Sequence, residues 1–467
     1  MKIVCFSINP LFPDRVTGGA SKHLMAICRY LEQQGHVVSV LCARADANQK
    51  PFTFGQHIQV KPELPFHLPF PQPYAVSPGD MAYIAEVVAR ELKTADRFYV
   101  HDGELLLPFL YQDVPTVTSF RDNFYPESIL GSFLTQADAI IAVSDFSAQV
   151  IKASAGRVFP QLTSRIHTVL NGIDTQVFHP ADPEPILRRF GLDAAIHPVI
   201  LHPHRPEAGK GLLQTILVAE KLVKDYGFTQ LRVLVPEWLG EMNGQQETEF
   251  HAQISTELHN RGLEDTFIFH PWLKQDEMSA YYSAGSLTLC LGNLVEAFGN
   301  VAYESLACGT PSLVAKVGVH RSQLPDALID KVDYGDVDAA AEVAARILRN
   351  RTRVTEERLQ QTLSFFSLDQ QLASYAEIIE SAQKLPALKS HPVVISPKTR
   401  FRLAPWCYLS KRGIFHDYHA KYYQIPQLEE WLAENAEISF SSKGSRLISW
   451  EELLHWYQMG ILVPLAG

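Results

Sequence analysis

Ile3-Val-Cys-Phe-Ser-Ile8, then Gly18-Gly19, then Leu24, Ile27, Cys28 and Leu31 at helical spacing, then Gly35 and Val37-Val-Ser-Val-Leu41, make up the opening of the chain. They read as strand, glycine loop, helix and strand, with Gly35 ending the helix. Short apolar runs recur at Phe98–Val100, Val117–Phe120 and Ala139–Val143, the rhythm of a parallel sheet covered by helices. After Asn171-Gly172 and a loop holding Pro180, Pro183 and Pro185 the alternation starts afresh. Strands are expected at Val199–Leu201, Leu231–Val235, Phe267–Phe269, Leu287–Leu291 and Ser312–Ala315, with an amphipathic helix over Leu212–Val223. Asp369–Ala382 reads as a closing helix, and Pro386, Pro392 and Pro397 mark a linker. The fold class is therefore α/β, with two tandem Rossmann-like, doubly wound domains over 1–185 and 186–385. Both should turn the carboxyl ends of their strands to a cleft, where ligands of open α/β sheets bind. Residues 386–467 form a small α+β module. Its order of helix (Leu428–Leu432), strand (Ile438–Phe440), helix (Trp450–Tyr457) and Ile461-Leu-Val is compatible with a winged-helix-like arrangement.

At 467 residues the chain exceeds what one hydrophobic core serves. With 46% hydrophobic and 20% charged residues it has the composition of a folded globular protein. A net charge of -10 argues against a nucleic-acid partner or a general binder of anionic membranes. The acidity lies in the middle of the chain, so an anionic ligand bound there must be held by local groups. The N-terminus runs straight into a strand, and no apolar stretch reaches the roughly 18 residues of a spanning helix. A cytoplasmic protein is expected, with peripheral membrane contact left open. The six cysteines form no Cys-x-x-Cys pair and sit mostly in apolar runs, as buried reduced thiols do.

Chemistry concentrates in Glu296-Ala-Phe-Gly-Asn-Val-Ala-Tyr-Glu304-Ser-Leu-Ala-Cys-Gly-Thr-Pro311. Glu296 falls in the loop leaving a strand, and Gly299 and Asn300 open a helix whose free N–H groups suit a diphosphate. Glu304 sits on that helix, where a carboxylate can accept from a ribose diol. Read alone, the two acids are equally well explained by the helix macrodipole.

The surrounding residues carry a resemblance. The segment is similar to the Glu-x7-Glu signature of retaining family-4 glycosyltransferases of the GT-B fold, and the likeness extends over roughly residues 1–385. Gly18-Gly19-Ala-Ser-Lys-His23-Leu resembles that family's glycine loop, Ala137–Ser144 its mid-chain strand, and Asn171-Gly172-Ile-Asp174 with Phe178 and Pro180 its interdomain loop. Arg205-Pro-Glu-Ala-Gly-Lys210-Gly211 resembles its basic pair.

The resemblance implies a metal-independent hexosyltransferase-like enzyme whose nucleotide-sugar is a substrate, so that no cofactor is called for. Arg205 and Lys210 would hold the diphosphate, Glu296 the hydroxyls of the transferred sugar and Glu304 the ribose. Gly19, Phe298, Gly299 and Asn300 would complete the donor site. No nucleophile is assigned, and the acceptor is unidentified. Where the family commonly has a histidine, this chain has Arg121, and with His101 it is a candidate contact for acceptor or sugar. A guanidinium there suggests an anionic acceptor, against a structural ion pair as the other reading. The second departure is Leu234-Val-Pro-Glu-Trp238, where glycines are usual. Neither domain has Gly-x-Gly-x-x-Gly after its first strand, which disfavours a dinucleotide oxidoreductase. A nucleotide-sugar epimerase and a non-catalytic nucleotide-sugar-binding protein are the alternatives.

Overall fold

The structure, a computed structural model, describes residues 1–14, 18–68, 72–205, 207–237, 244–440 and 448–465. Contacts divide the chain into two units, Met1–Val169 with Leu372–Gly467, and Leu170–Gln371.

The first unit opens with β1 (Lys2–Ser7), α1 (Gly19–Gln33), β2 (Val37–Ala43), β3 (Phe52–Phe54), β4 (Ile58–Leu64), α2 (Pro78–Leu92) and β5 (Arg97–Val100). It continues with β6 (Thr116–Phe120), α3 (Pro126–Leu134), β7 (Ala139–Ala142), α4 (Asp145–Ala153), α5 (Ala155–Val158) and β8 (Ile166–Thr168). The strands pair in the order β3-β4-β2-β1-β5-β6-β7-β8, parallel except for the β3–β4 hairpin. Alternate residues of β1 enter different cores. Ile3 and Cys5 meet Leu24, Ile27 and Leu31 of α1, while Val4 and Phe6 meet Ile84, Val87 and Val88 of α2. Both faces are buried, which is why β1 is an unbroken apolar run instead of an alternating one. A fully buried side chain such as Ile27 contributes about 1.5–3 kcal/mol relative to exposure.

The second unit holds α6 (Glu184–Arg189), β9 (Val199–Leu201), α7 (Leu212–Lys224), β10 (Arg232–Pro236), α8 (Gly244–Arg261), β11 (Phe267–His270) and α9 (Met278–Ala284). Then come β12 (Leu287–Cys290), α10 (Asn300–Ala307), β13 (Ser312–Ala315), β14 (Asp330–Val332), α11 (Val337–Arg349) and α12 (Glu356–Phe365). Its sheet is parallel, in the order β11-β10-β9-β12-β13-β14. The order reverses at β9, flanked by β10 and β12, so the loops leaving β9 and β12 are neighbours at a topological switch point.

The unit boundaries fall at 169/170 and 371/372, whereas the prolines suggested 185/186 and 385/386. The proline loop packs onto the second unit: the N–H groups of His179 and Ala181 donate to Ser279 and Ser283 of α9, at 3.3 and 3.0 Å. The closing helix α13 (Leu368–Ser381) contains the second boundary and places Tyr375, Ala376 and Ile379 in the core under α1.

The C-terminal module contains β15 (Phe401–Leu403), β16 (Cys407–Ser410), β17 (Gly413–His416), β18 (Lys421–Tyr423), α14 (Pro426–Glu434), β19 (Glu437–Ile438), α15 (Trp450–Gln458) and β20 (Leu462–Pro464). Two antiparallel three-stranded sheets result, β19-β15-β20 and β16-β17-β18. The winged-helix-like reading accounts for α14 and α15 but misses the β16–β18 meander. Phe401, Cys407, Ile414, Leu428, Leu453 and Trp456 form the module's core, which Ala153 of α4 joins. Lys398, Lys411, Arg412 and Lys421 are exposed. The basic and aromatic residues between Lys398 and Tyr423 thus form largely a core with a solvated cationic face.

Candidate active site

The loop after β9 ends in a short turn, Ala208–Lys210, and Gly211 with φ 87°. A Cβ on Gly211 would stand 2.4 Å from the Gly292 nitrogen, so these glycines let the β9 and β12 loops touch through their backbones. The Gly209 carbonyl accepts from the N–H groups of Asn293 and Leu294, both at 3.0 Å. This fastening brings Lys210 Nζ to 2.6 Å from Glu296 Oε1. Burial opposes charge on both groups, but their mutual attraction wins: the lysine pKa is raised and the glutamate pKa lowered. Both are held ionised.

Gly299 caps α10 with φ 78° and without a side-chain cap. The His320 ring occupies the place a Cβ would take, 2.2 Å from its Cε1. Asn300 Oδ1 accepts from Asn171 Nδ2 at 3.3 Å, and Asn171 Oδ1 accepts from Gln371 at 3.0 Å. Glu304 accepts from the Tyr282 hydroxyl at 3.1 Å. Phe298 is buried against Tyr303 and Phe366, so its side chain serves packing and only its backbone remains for a ligand. Arg205 is half exposed, with Nε 3.1 Å from Glu207. Pro206 and Trp238 lie outside the described residues, and Glu237 donates its N–H to His270 at 2.7 Å.

Arg205, Lys210, Glu296, Gly299, Asn300 and Glu304 thus all belong to the second unit, on its β9 and β12 loops and α10. Three histidines that sequence reasoning missed join them. His202 is fully buried, with Nδ1 3.1 Å from Thr215 Oγ1, and burial and then Lys210 push its pKa down to about 3. Burial, then His202, Lys210 and His320, hold His204 well below the usual histidine range. Burial pushes His320 down to about 4, Glu296 opposing and Lys210 assisting. His202-Pro-His204, directly after a strand, was the available signal. The sequence also contains an Asp-x-Asp triplet, Asp336-Val-Asp338, with the spacing of metal ligands. Its uses are structural: Asp336 caps α11 through Ala339 N–H, and Asp338 pairs with Lys221 at 2.6 Å.

In the first unit Gly19 is exposed at the start of α1. His101 is fully buried with both ring nitrogens engaged, Nδ1 2.8 Å from the Tyr99 hydroxyl and Nε2 3.0 Å from the Ala20 carbonyl. His101 is therefore a satisfied strand-end residue, with no nitrogen to spare for a substrate. Arg121 Nη1 lies 2.6 Å from His23 Nδ1 and its Nε 3.7 Å from Asp102 Oδ1. Burial pushes Asp102 up to about 6, with Arg121 pulling the other way. Asp122 ties the following loop by accepting from Phe124 N–H, Tyr125 N–H and Ser128 Oγ, at 2.9, 3.0 and 2.7 Å. Sequence reasoning also missed Tyr375, whose ring stands edge-on to His23 at 5.0 Å.

Residues 17–177 match the family model described as Glycosyltransferase Family 4, and residues 191–362 the model described as Glycosyl transferases group 1. A D-inositol 3-phosphate glycosyltransferase 1 from Catenulispora acidiphila is 28% identical over 273 residues, which cover 56% of this chain and 63% of that protein. A D-inositol 3-phosphate glycosyltransferase from Nocardiopsis dassonvillei is 29% identical over 184 residues, 39% of this chain and 41% of that protein. The chain therefore spans less than two thirds of these relatives. Sucrose-phosphate synthase from Thermosynechococcus elongatus superposes with a TM-score of 0.67 at 15% identity, over 81% of this chain and 98% of that one. Anabaena HepE in complex with UDP and glucose superposes with a TM-score of 0.62 at 19% identity, over 82% of this chain and 100% of that one. At those identities the likeness is one of fold. Among the described residues no helix is long and apolar enough to cross a membrane.

Proposed function

We propose, for a chain that belongs to the family-4 glycosyltransferases of the GT-B fold, that it transfers a sugar from a nucleotide-sugar to an acceptor with retention of anomeric configuration. The observation that carries this reading is the Lys210–Glu296 pair, held by backbone contact of the β9 and β12 loops beside the uncapped start of α10. A cation, a carboxylate and free helix N–H groups at a switch point suit a sugar diphosphate, whose phosphates need positive partners and whose hydroxyls need an acceptor.

In this reading Lys210 and Arg205 take the diphosphate and stabilise the charge that grows on it as the glycosidic bond breaks. Glu296 turns to the sugar hydroxyls and Glu304 to the ribose, while Gly299, Asn300 and the Phe298 backbone line the phosphates. Gly19 is the remaining donor-binding candidate, and Arg121 meets an anionic acceptor. The reaction calls for no cofactor and no metal, and the protein works in the cytoplasm.

The test incubates the full chain with uridine, guanosine and adenosine diphosphate sugars and follows nucleotide release and sugar identity. Slow hydrolysis that rises with an added acceptor supports a transferase, and the anomeric proton coupling of the product reports retention. A new sugar without acceptor points to an epimerase, and unchanged donors to a binding protein.

A further inference from the structure

His204 stands three residues beyond the end of β9. It is 9% exposed, and its Nε2 has no hydrogen-bond partner among the described residues. A buried imidazole nitrogen without a partner is costly, and such atoms are uncommon in folded proteins. The His204 ring lies 5.2 Å from that of His202, which Thr215 holds in place. The charged and titratable groups around His204 are His202 from its own loop, Lys210 from the turn after it, and His320 from the loop after β13. Lys210 is meanwhile occupied by Glu296. The unpaired nitrogen therefore belongs to a group of side chains whose strong internal ion pair must open if Lys210 is to meet a phosphate.

We propose that His204 is a donor-binding residue whose Nε2–H hydrogen-bonds a diphosphate oxygen when Lys210 exchanges Glu296 for the phosphates. This rests on the donor-site reading above and adds a residue to it. A neutral imidazole suits the place, because it supplies a directed donor without setting a second buried cation beside Lys210. Burial and the neighbouring positive charge keep it neutral, so its contribution does not depend on the imidazole gaining a proton. The exchange also explains why a polar atom is kept there at a cost to the ligand-free protein: the partner arrives with the ligand.

Calorimetric titration of the full chain with UDP, GDP and ADP, and with the matching nucleosides, tests this. The wild type should bind one of the diphosphates. His204→Ala should weaken that binding about tenfold to a hundredfold, the range for a hydrogen bond to a charged group, and leave nucleoside binding unchanged. His204→Gln, which keeps an N–H donor, should recover most of the loss. If His204→Ala does not fold by melting curve, His204→Met, of similar bulk and without a donor, is compared with His204→Gln instead. Diphosphate binding equal to wild type in the variant without a donor overturns the proposal, as does an equal loss of nucleoside affinity. Failure of the wild type to bind any of the three diphosphates overturns the donor-site reading and the proposal together. Binding by the wild type with indifferent variants overturns the proposal alone.

Discussion

Lys210 and Glu296 lie 86 positions apart in sequence and 2.6 Å apart in space, each the other's counter-ion. Removing one partner leaves the other charge buried and uncompensated. Lys210→Met should therefore cost about 3 kcal/mol or somewhat less, the low end for a buried pair, because the Glu296 side chain keeps 25% exposure. Lys210→Met with Glu296→Gln should recover part of that loss in a thermal double-mutant cycle. The pH window is set by the shifts. Glu296 is lowered from 4.5, so its contribution is present above that value and lost as pH falls through the folded pKa. Lys210 is raised from 10.5, so its contribution is present below that value and lost as pH rises through the folded pKa. The gap between wild type and Lys210→Met should be flat over about pH 6 to 9 and close in acid.

Catalysis should be more sensitive than stability at Arg205 and Glu304. Arg205→Ala removes a half-exposed side chain, which costs the fold little, yet the loss of one positioned donor typically costs roughly 2.7 to 4 kcal/mol of transition-state stabilisation. Turnover should fall about a hundredfold to a thousandfold with the melting temperature almost unchanged. Glu304→Ala should weaken nucleotide binding, and Tyr282→Phe, which removes only its hydrogen-bond partner, should do so less. Near-normal turnover in both Arg205→Ala and Glu304→Ala sinks the site assignment.

Periodicity encodes burial, and that decided how much was legible in the sequence. The parallel strands are buried on both faces, so β1, β9 and β12 stand out as apolar runs, and α10 begins at the glycine that its left-handed cap demands. The β16–β18 meander was hidden because its strands are three or four residues long and its aromatics are interleaved with exposed cations. That mixture resembles a binding surface as much as a thin core. His204 and His320 were hidden for another reason: a histidine after a strand says nothing of whether its nitrogens find partners, and only the fold of three loops around Lys210 decides that. Phe298 shows the converse, a motif residue whose side chain turns out to be core.

Arg121 bears on stability, and it is the proposed contact for the acceptor. Asp102 has a folded pKa raised from 3.8 to about 6, so ionising it in place costs stability, and that cost appears as pH rises between those values. Arg121 limits the cost, and the same guanidinium helps keep His101 uncharged. Arg121→Gln should then push Asp102 higher and let His101 accept a proton more readily. Both effects make the variant lose more stability at pH 8 than at pH 5, which melting curves at the two values would show. If the acceptor is anionic, Arg121→Gln should also raise its Michaelis constant while leaving acceptor-free donor hydrolysis alone. An unchanged constant for both substrates leaves Arg121 a purely structural pair with His23 and Asp102.

The C-terminal module reaches the same segment by another route. The Tyr418 hydroxyl donates to the backbone carbonyl of Asn123 at 2.8 Å, two residues beyond Arg121, and the Asn123 side chain is itself held by Ser147 of α4 at 3.1 Å. Arg157 and Tyr457 join α5 to α15 through a hydrogen bond of 2.5 Å and a cation over the ring at 5.0 Å. The module is therefore a brace on the loop that carries Arg121 and Asp122, and its expected service is to position the acceptor side. Tyr418→Phe removes one partly buried hydrogen bond, worth about 1 kcal/mol to the fold. It should lower transfer to acceptor several-fold while donor hydrolysis and nucleotide affinity stay at the wild-type level. A cut near Pro386 is harsher, because Leu385 and Lys384 hold Asp138, and the Pro386 carbonyl accepts from Arg165. Cutting after His391 keeps those anchors. The shortened chain should bind and hydrolyse the donor but fail to glycosylate acceptor. If it transfers sugar at the full rate, the 121–125 loop holds its shape unaided and acceptor recognition does not involve the module.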